Sequence, residues 1–310
     1  MTDIEQLSAG PDGVLLINKH AGVTSHDIVS QIRRLYGTRR VGHTGTLDPM
    51  ATGVLVVLVG RAAKASEYLI CDTKRYRAVL RLGLTTDTED TTGTVLSECG
   101  KLPDFAALEA VLPEFCGKIL QVPPMYSALK VNGKKLVDLA RQGVTVERHP
   151  REIEIASLSA APTGVPSDFV LDICCSGGTY IRTLCADIGT RLGCGGVMAE
   201  LCRTAVSGFS LEQAHTVKEL EEITPDARKA LLMPTESLFE ALPPVRLSPF
   251  FEKLIRGGCA VAQKKLQVGF PAGTRVRLLR ESGSFFALGE AVEDAEQGTA
   301  IRAIKTFALQ

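Results

Sequence analysis

Arg39-Arg40-Val41-Gly42-His43-Thr44-Gly45-Thr46-Leu47-Asp48-Pro49-Met50-Ala51-Thr52-Gly53 stands directly before an apolar run, Val54-Leu55-Val56-Val57-Leu58-Val59. Gly53–Val59 reads as a buried strand, a rigid support for whatever the preceding loop displays. That loop holds one acid, one imidazole, three threonines and three glycines. Glycine at this density lets the backbone approach a ligand closely. Asp48 is its only acid, and Pro49 biases Asp48 towards an extended conformation that fixes the direction of its carboxylate. An Asp-Pro pair by itself reads first as the start of a turn, so the loop gains meaning only from its company.

Outward from it, Thr24 or Ser25 caps a helix whose apolar positions Ile28, Val29, Ile32 and Leu35 follow helical spacing and end before Gly37. Tyr76–Leu84 alternates as a strand, followed by the polar loop Asp87–Asp90. Asp104 opens a helix expected to run through Phe115, and Lys134–Gln142 reads as a short helix stopped by Gly143. Asp168–Cys175 is another strand. A helix over Thr179–Leu192 puts Arg182 in its first turn and Ile181, Leu184, Cys185, Ile188 and Leu192 on one face. Strands and helices in irregular order indicate an α+β fold with a mixed, largely antiparallel sheet and flanking helices. Leu242-Pro243-Pro244-Val245 marks a domain boundary, giving an expected division into 1–245 and 246–310. Beyond it, Thr274–Arg280, Ser284–Glu290 and Ala300–Thr306 read as short strands between glycine turns.

The formal net charge is zero, yet the charges are segregated. Residues 31–81 hold ten Lys/Arg against three Asp/Glu, and residues 118–151 hold seven against two. Residues 87–114 carry seven acids against one base, and residues 211–245 seven against three. Such a chain can present a basic face to phosphates while remaining neutral as a whole. The basic excursion of about 124–152, with Lys130, Lys135, Arg141, Arg148 and Arg151, is positioned to lie over RNA. None of the nine cysteines is spaced C-x2-C, and they read as reduced, mostly buried small apolar residues. No metal, nucleotide or flavin motif is visible, so neither metal nor cofactor is expected. No apolar stretch approaches the ~20 residues of a spanning helix. Met1–Glu5 lacks a basic region followed by an apolar one, so the expected location is the cytoplasm.

The Arg39–Gly53 string resembles the signature of the TruB family, the bacterial tRNA pseudouridine synthases that modify uridine 55 in the T loop. Leu15-Leu16-Ile17-Asn18-Lys19 with Gly22-Val23-Thr24-Ser25-His26-Asp27 is similar to that family's N-terminal motif. Lys74-Arg75-Tyr76, Gln121–Lys130 and Cys175–Leu184 resemble further blocks in the same order, so the likeness runs from about residue 13 to Phe209. The resemblance implies that Asp48 is the reacting carboxylate, Arg182 its guanidinium partner and Tyr76 the active-site tyrosine. It implies that His43 fills the gap left by a flipped-out base, with Thr44 and Gly45 beside it, and that Tyr180 and Leu201 pack near the base. Lys19 and Lys64 would be site supports or phosphate contacts. Gly257–Val261 and Gly269–Gly273 resemble a small PUA-type RNA-binding barrel at the C-terminus. Departures from the pattern are His20, Val137, Val197 and Cys202, which stand where the family usually has proline, tyrosine, histidine and arginine.

Pseudouridine formation breaks the bond from ribose C1′ to N1, turns the base in place and joins C5 to C1′. A carboxylate serves it either by covalent attack or by removing a ribose proton to give a glycal, and the residues leave both routes open. The implied partner is the T-arm of tRNA, met by a monomer with no obligate protein partner. Three rivals stand beside this reading: an RNA-guided synthase of the dyskerin type, a non-catalytic RNA-folding protein, and a small-molecule glycosidase. The glycosidase reading lacks a second carboxylate placed as the acid.

Overall fold

The computed structural model describes residues 10–69, 73–131, 133–294 and 298–307; Met1–Glu5 and Cys71 lie outside them. The architecture is α+β. Seven strands of the large sheet run in the spatial order Gly13–Lys19, Thr52–Val59, Gly196–Val206, Lys74–Leu82, Asp168–Cys175, Arg151–Pro162 and Gly117–Gln121. Val41–His43 pairs with Thr52–Val59, and Phe209–Ser210 with Gly196–Val206. Neighbours are antiparallel except at one junction, where Thr52–Val59 and Gly196–Val206 run parallel with Cys202 opposite Thr52 and Arg203 opposite Gly53.

Period-2 patterning explains most of this sheet. In Lys74–Leu82 the residues Tyr76, Ala78, Leu80 and Leu82 are buried, while Arg77 and Arg81 face outward to Asp172 and Asp168 on the next strand. Those opposite charges sit in register and disfavour a one-residue slip. The Thr52–Val59 run is apolar on both faces because both are covered. Leu55, Val57 and Val59 enter the main core with Tyr76, Ile173 and the helix residues Ile28 and Ile32. Val54, Val56 and Leu58 enter a second cluster that also contains Phe239, Leu288 and Phe307.

The C-terminal sheet is a curled, PUA-like unit with order Pro244–Arg246, Arg275–Leu279, Phe285–Asp294, Gly298–Thr306, Val261–Ala262. Phe239, Phe285 and Phe307 meet at centroid distances of 5.6–5.9 Å. Tyr68, packed against the same cluster, has the Arg275 and Lys305 cations 5.9 and 5.5 Å from its ring centre, and Arg275 Nη1 donates to its carbonyl at 2.9 Å.

Several elements differ locally from their expected extents. Val41–His43 is a strand and not loop. The strand expected to reach Leu84 breaks at Gly83, which has a φ of +87°. The helix from Asp104 is α-helical only over Phe105–Val111 and tightens to a 3₁₀ turn over Leu112–Phe115, because Pro113 has no N–H for the α ladder. Leu136–Ala140 is helical, but Lys134 and Lys135 go into a two-residue ladder with Lys130 and Val131. The helix expected from Thr179 begins at Ile181, since Thr179 Oγ1 donates to the Ser176 carbonyl and closes the glycine turn. Of the eight described cysteines, Cys174, Cys175, Cys185 and Cys194 are buried, whereas Cys116 and Cys259 are exposed.

Gly53 marks a tight point directly after the Asp48 turn. Its φ is +101°, and a Cβ there would stand 2.2 Å from the Arg203 carbonyl oxygen and 2.7 Å from the Arg203 nitrogen. Both obstacles are backbone, so neither can swing aside. Gly53→Ala is expected to cost more than about 3 kcal/mol of stability, read as a large fall in melting temperature.

Candidate active site

The Asp48 turn closes with Ala51 N–H donating to the Asp48 carbonyl at 3.0 Å, and three residues of the N-terminal motif hold it from below. Ser25 Oγ accepts from Leu47 N–H at 2.9 Å and donates back to the Leu47 carbonyl at 3.2 Å. Gly22 N–H donates to the Pro49 carbonyl at 2.8 Å. Lys19, wholly buried, donates through Nζ to the carbonyls of His20, Pro49 and Ala51 at 3.0, 3.2 and 2.6 Å. Of the two roles expected for Lys19, burial leaves support of the turn and removes phosphate contact. Burial pushes its pKa down to about 8, with the Asp48 charge opposing and the Arg203 charge adding to the fall.

Over this turn opens a cleft of about 610 Å³, lined among others by Asp48, Tyr76, Tyr126, Tyr180, Arg182 and Leu201. Arg182 is 5% exposed, while the Asp48 side chain keeps 35% exposure at the cleft mouth. Arg182 Nε stands 2.9 Å from Asp48 Oδ2, and Nη2 donates to Oδ1 at 3.3 Å. Nη1 donates to the Thr88 carbonyl at 3.0 Å and Nη2 also to the Tyr126 carbonyl at 2.8 Å, while Nε makes no hydrogen bond among the described residues. Asp90 Oδ2 lies 3.9 Å from Nη1, and its Oδ1 is fixed by the Thr88 hydroxyl and by Thr92 N–H and hydroxyl. Arg182 thus lies between two carboxylates and two carbonyls, an arrangement that a planar five-donor cation fits and a lysine does not.

The aromatic wall comes from separate elements. Tyr76 projects inward from its strand, and burial raises the pKa of its phenol against the nearby Arg203 charge. Tyr180 is held by its backbone, with N–H to Gln121 Oε1 at 2.9 Å and the carbonyl accepting from Gln121 Nε2 at 3.0 Å. Burial also raises the Tyr180 phenol. Leu201 is 7% exposed beside them.

His43 ends a strand at the loop's entry, where Nδ1 accepts from Gly45 N–H at 3.3 Å. Burial, then the Arg203 charge, lowers its pKa, favouring a neutral ring. Thr44 N–H donates to the Val56 carbonyl at 3.1 Å, and Gly45 lines the cleft. Lys64 is exposed on the 3₁₀ turn Gly60–Glu67 and is not brought to the cleft. Val137 does line it, and Val197 is core. Cys202 sits behind, in a separate hollow with Met50 and Arg77.

Three contributors escape the sequence reading: Asp90, Gln121 as a backbone clamp, and Arg203. Arg203 is 2% exposed, with Nε donating to the Val54 carbonyl at 2.7 Å and Nη2 to the Gly45 carbonyl at 3.1 Å. A cation two residues after Leu201 was its only sequence signal.

Known proteins resemble this chain over most of its length. Residues 33–181 match the model described as "TruB family pseudouridylate synthase (N terminal domain)", and residues 182–240 that described as "tRNA pseudouridylate synthase B C-terminal domain". The tRNA pseudouridine synthase B of Thiobacillus denitrificans is 44% identical over 90% of this chain and 92% of that protein. The chain belongs to the TruB family. The tRNA pseudouridine synthase B of Alkaliphilus oremlandii is 50% identical over 68% of this chain and 71% of its own. Among solved structures, a chain of a Cbf5-Nop10-Gar1 complex superposes with a TM-score of 0.72 at 26% identity, covering 96% of this chain and 85% of that one.

Two outcomes follow from this TruB-family site. Arg182→Lys keeps one charge but loses the fork, so turnover should fall by about 10²-fold or more with RNA affinity little changed. For Lys19, the unfolded chain keeps the proton up to about 10.5 and the folded chain only to about 8. Between those values the unfolded state binds more protons, so this residue's contribution to stability rises with pH. The melting temperature of the wild type minus that of Lys19→Met should therefore increase from pH 8 towards pH 10; a flat difference would contradict the burial of a charged lysine.

Proposed function

We propose that this chain converts uridine to pseudouridine at position 55 in the T loop of tRNA, with Asp48 as the reacting carboxylate. The observation that carries the reading is the half-exposed Asp48 carboxylate, oriented by the buried Arg182 fork at the mouth of a cleft walled by Tyr76, Tyr180 and Leu201. Relatives named for this activity, similar over nine-tenths of the chain, support it.

The reaction is an isomerisation. The C1′–N1 bond breaks, the uracil turns, C5 bonds to C1′, the C5 proton leaves and N1 gains one. Asp48 serves as nucleophile or as ribose base, and Arg182 keeps it aimed. Tyr76 and Tyr180 supply flat walls on which a free base stacks, and the target base must leave its loop to reach them. His43, neutral and beside the turn, takes its place in the stack. Leu201 completes the apolar contact with the base. The stretch of about 124–152 and the unit from about 246 onward hold the RNA on either side, and the chain works alone in the cytoplasm as a monomer. The similarity to a Cbf5 chain from a multi-protein complex keeps a guided enzyme as the second reading.

The test is pseudouridine formation in an unmodified T-arm transcript with no added protein. Wild type should modify the T-loop uridine, and Asp48→Asn should bind the transcript but be slower by at least about 10³-fold. Wild type that binds and leaves every uridine intact would move the guided or RNA-folding reading ahead.

A further inference from the structure

Thr88 gives Arg182 a carbonyl, Asp90 brings a carboxylate to 3.9 Å from it, and the residue between them, Glu89, is a backbone outlier. Its φ is +63°, a left-handed conformation that a glutamate takes against its own sterics and keeps only where its surroundings hold it. Three bonds do so here. Glu89 N–H donates to the Thr86 carbonyl at 3.4 Å, its carbonyl accepts from Met198 N–H at 3.0 Å, and its Oε2 accepts from the Thr183 hydroxyl at 2.5 Å. Thr183 is 5% exposed and directly follows Arg182 on the helix Ile181–Arg191. One loop thus meets one helix at adjacent residues, Thr88 at Arg182 and Glu89 at Thr183. The two contacts differ in stiffness. An arginine is long and can travel with a wandering carbonyl, whereas the short, β-branched threonine is fixed by its helix. Burial pushes the Glu89 pKa up, opposed first by the Thr183 hydrogen bond and then by the Arg182 charge, so the carboxylate gives up water to make this contact.

We propose that Glu89 and Thr183 are positioning residues for the reaction, a latch that fixes the Thr88–Asp90 loop to the helix bearing Arg182. The proposal rests on the reading of Asp48 as the reacting carboxylate. Neither residue lines the cleft, so both act through Arg182. With the latch closed, the Thr88 carbonyl and the Asp90 carboxylate stand at set places on the far side of the guanidinium from Asp48. With it open, the loop is free to shift, the fork tilts towards whichever acceptor remains, and the Asp48 carboxylate tilts with it. A displacement of this size is felt at the reacting atoms although nothing that touches them has changed.

A double-mutant cycle tests this under single-turnover conditions with saturating unmodified tRNA transcript, using Glu89→Gly, Thr183→Val and both together. Glycine adopts the left-handed conformation freely, so Glu89→Gly keeps the backbone and removes the tether. Each single change should slow pseudouridine formation by about tenfold or more, with transcript affinity within about threefold of wild type. The double variant should be less than about threefold slower than the slower single one, since the two residues act as a unit. Glu89→Gln keeps an oxygen that accepts from the Thr183 hydroxyl and should restore the rate to within about threefold of wild type. Losses that multiply, single variants near the wild-type rate, or a Glu89→Gln variant as slow as Glu89→Gly would overturn the proposal.

A second measurement needs no turnover. Met198 N–H is bonded to the Glu89 carbonyl and Thr91 N–H to the Met198 carbonyl, so both amides report on the loop, while Leu184 N–H, bonded to the Tyr180 carbonyl, reports on the helix. Thr183→Val should speed hydrogen exchange of the first two by about tenfold and leave Leu184 within about twofold of wild type. Equal exchange at Met198 and Thr91 would show that the loop holds without the latch, and a rise at Leu184 as large as theirs would show a loosened helix instead; either overturns the proposal. Failure of the activity reading looks different: wild type itself would leave the uridine unmodified, with the exchange difference intact.

Discussion

The contact between Arg182 and Asp48 is the constraint around which the rest of the molecule is arranged. A guanidinium almost fully removed from water is costly unless it is paired, and here its partners come from far apart in the chain. Thr88 and Tyr126 contribute carbonyls from two loops, and Asp90 adds a second carboxylate at 3.9 Å. None of these loops could drift without stranding the charge. The cation therefore orders its own surroundings, and the carboxylate that remains partly wet at the cleft mouth inherits a fixed orientation from it.

Beneath that contact the turn bearing Asp48 is tied down by groups that touch no substrate. Ser25 exchanges two hydrogen bonds with Leu47, and the Lys19 ammonium gathers three carbonyls. Such ties keep a reacting group within a few tenths of an ångström of its working position. They also give a physical reason for the N-terminal motif: Lys19, Gly22 and Ser25 are spaced to reach one turn about thirty residues away.

Local pattern carried the sequence reading a long way. The apolar run after Gly53, the alternation of Tyr76–Leu82 and the capped helix from Ser25 are each decided by nearest neighbours, and the structure shows all three. Asp48, Tyr76, Arg182, Tyr180 and Leu201, named from a resemblance, do line one cleft. What stayed hidden depends on distant chain. Asp90 looked like a solvated acid because its value lies in Arg182, ninety-two residues on. Arg203 drew no assignment because only the sheet order places it between Gly53 and Tyr76. Lys64 was carried by motif alone, and the fold leaves it in solvent. Element ends moved where a single residue took another bond, as Thr179 and Pro113 did.

The strand that follows the Asp48 turn is walled by apolar side chains on both sides, and one of those walls belongs in part to the C-terminal sheet through Leu288 and Phe307. The tail is therefore no detachable accessory. Stripping it away would remove Leu288 and Phe307 from the cluster that covers Val54, Val56, Leu58 and Phe239. Packing thus joins the C-terminal sheet to the strand that follows Asp48, so damage at the far end of the chain reaches that strand without touching it.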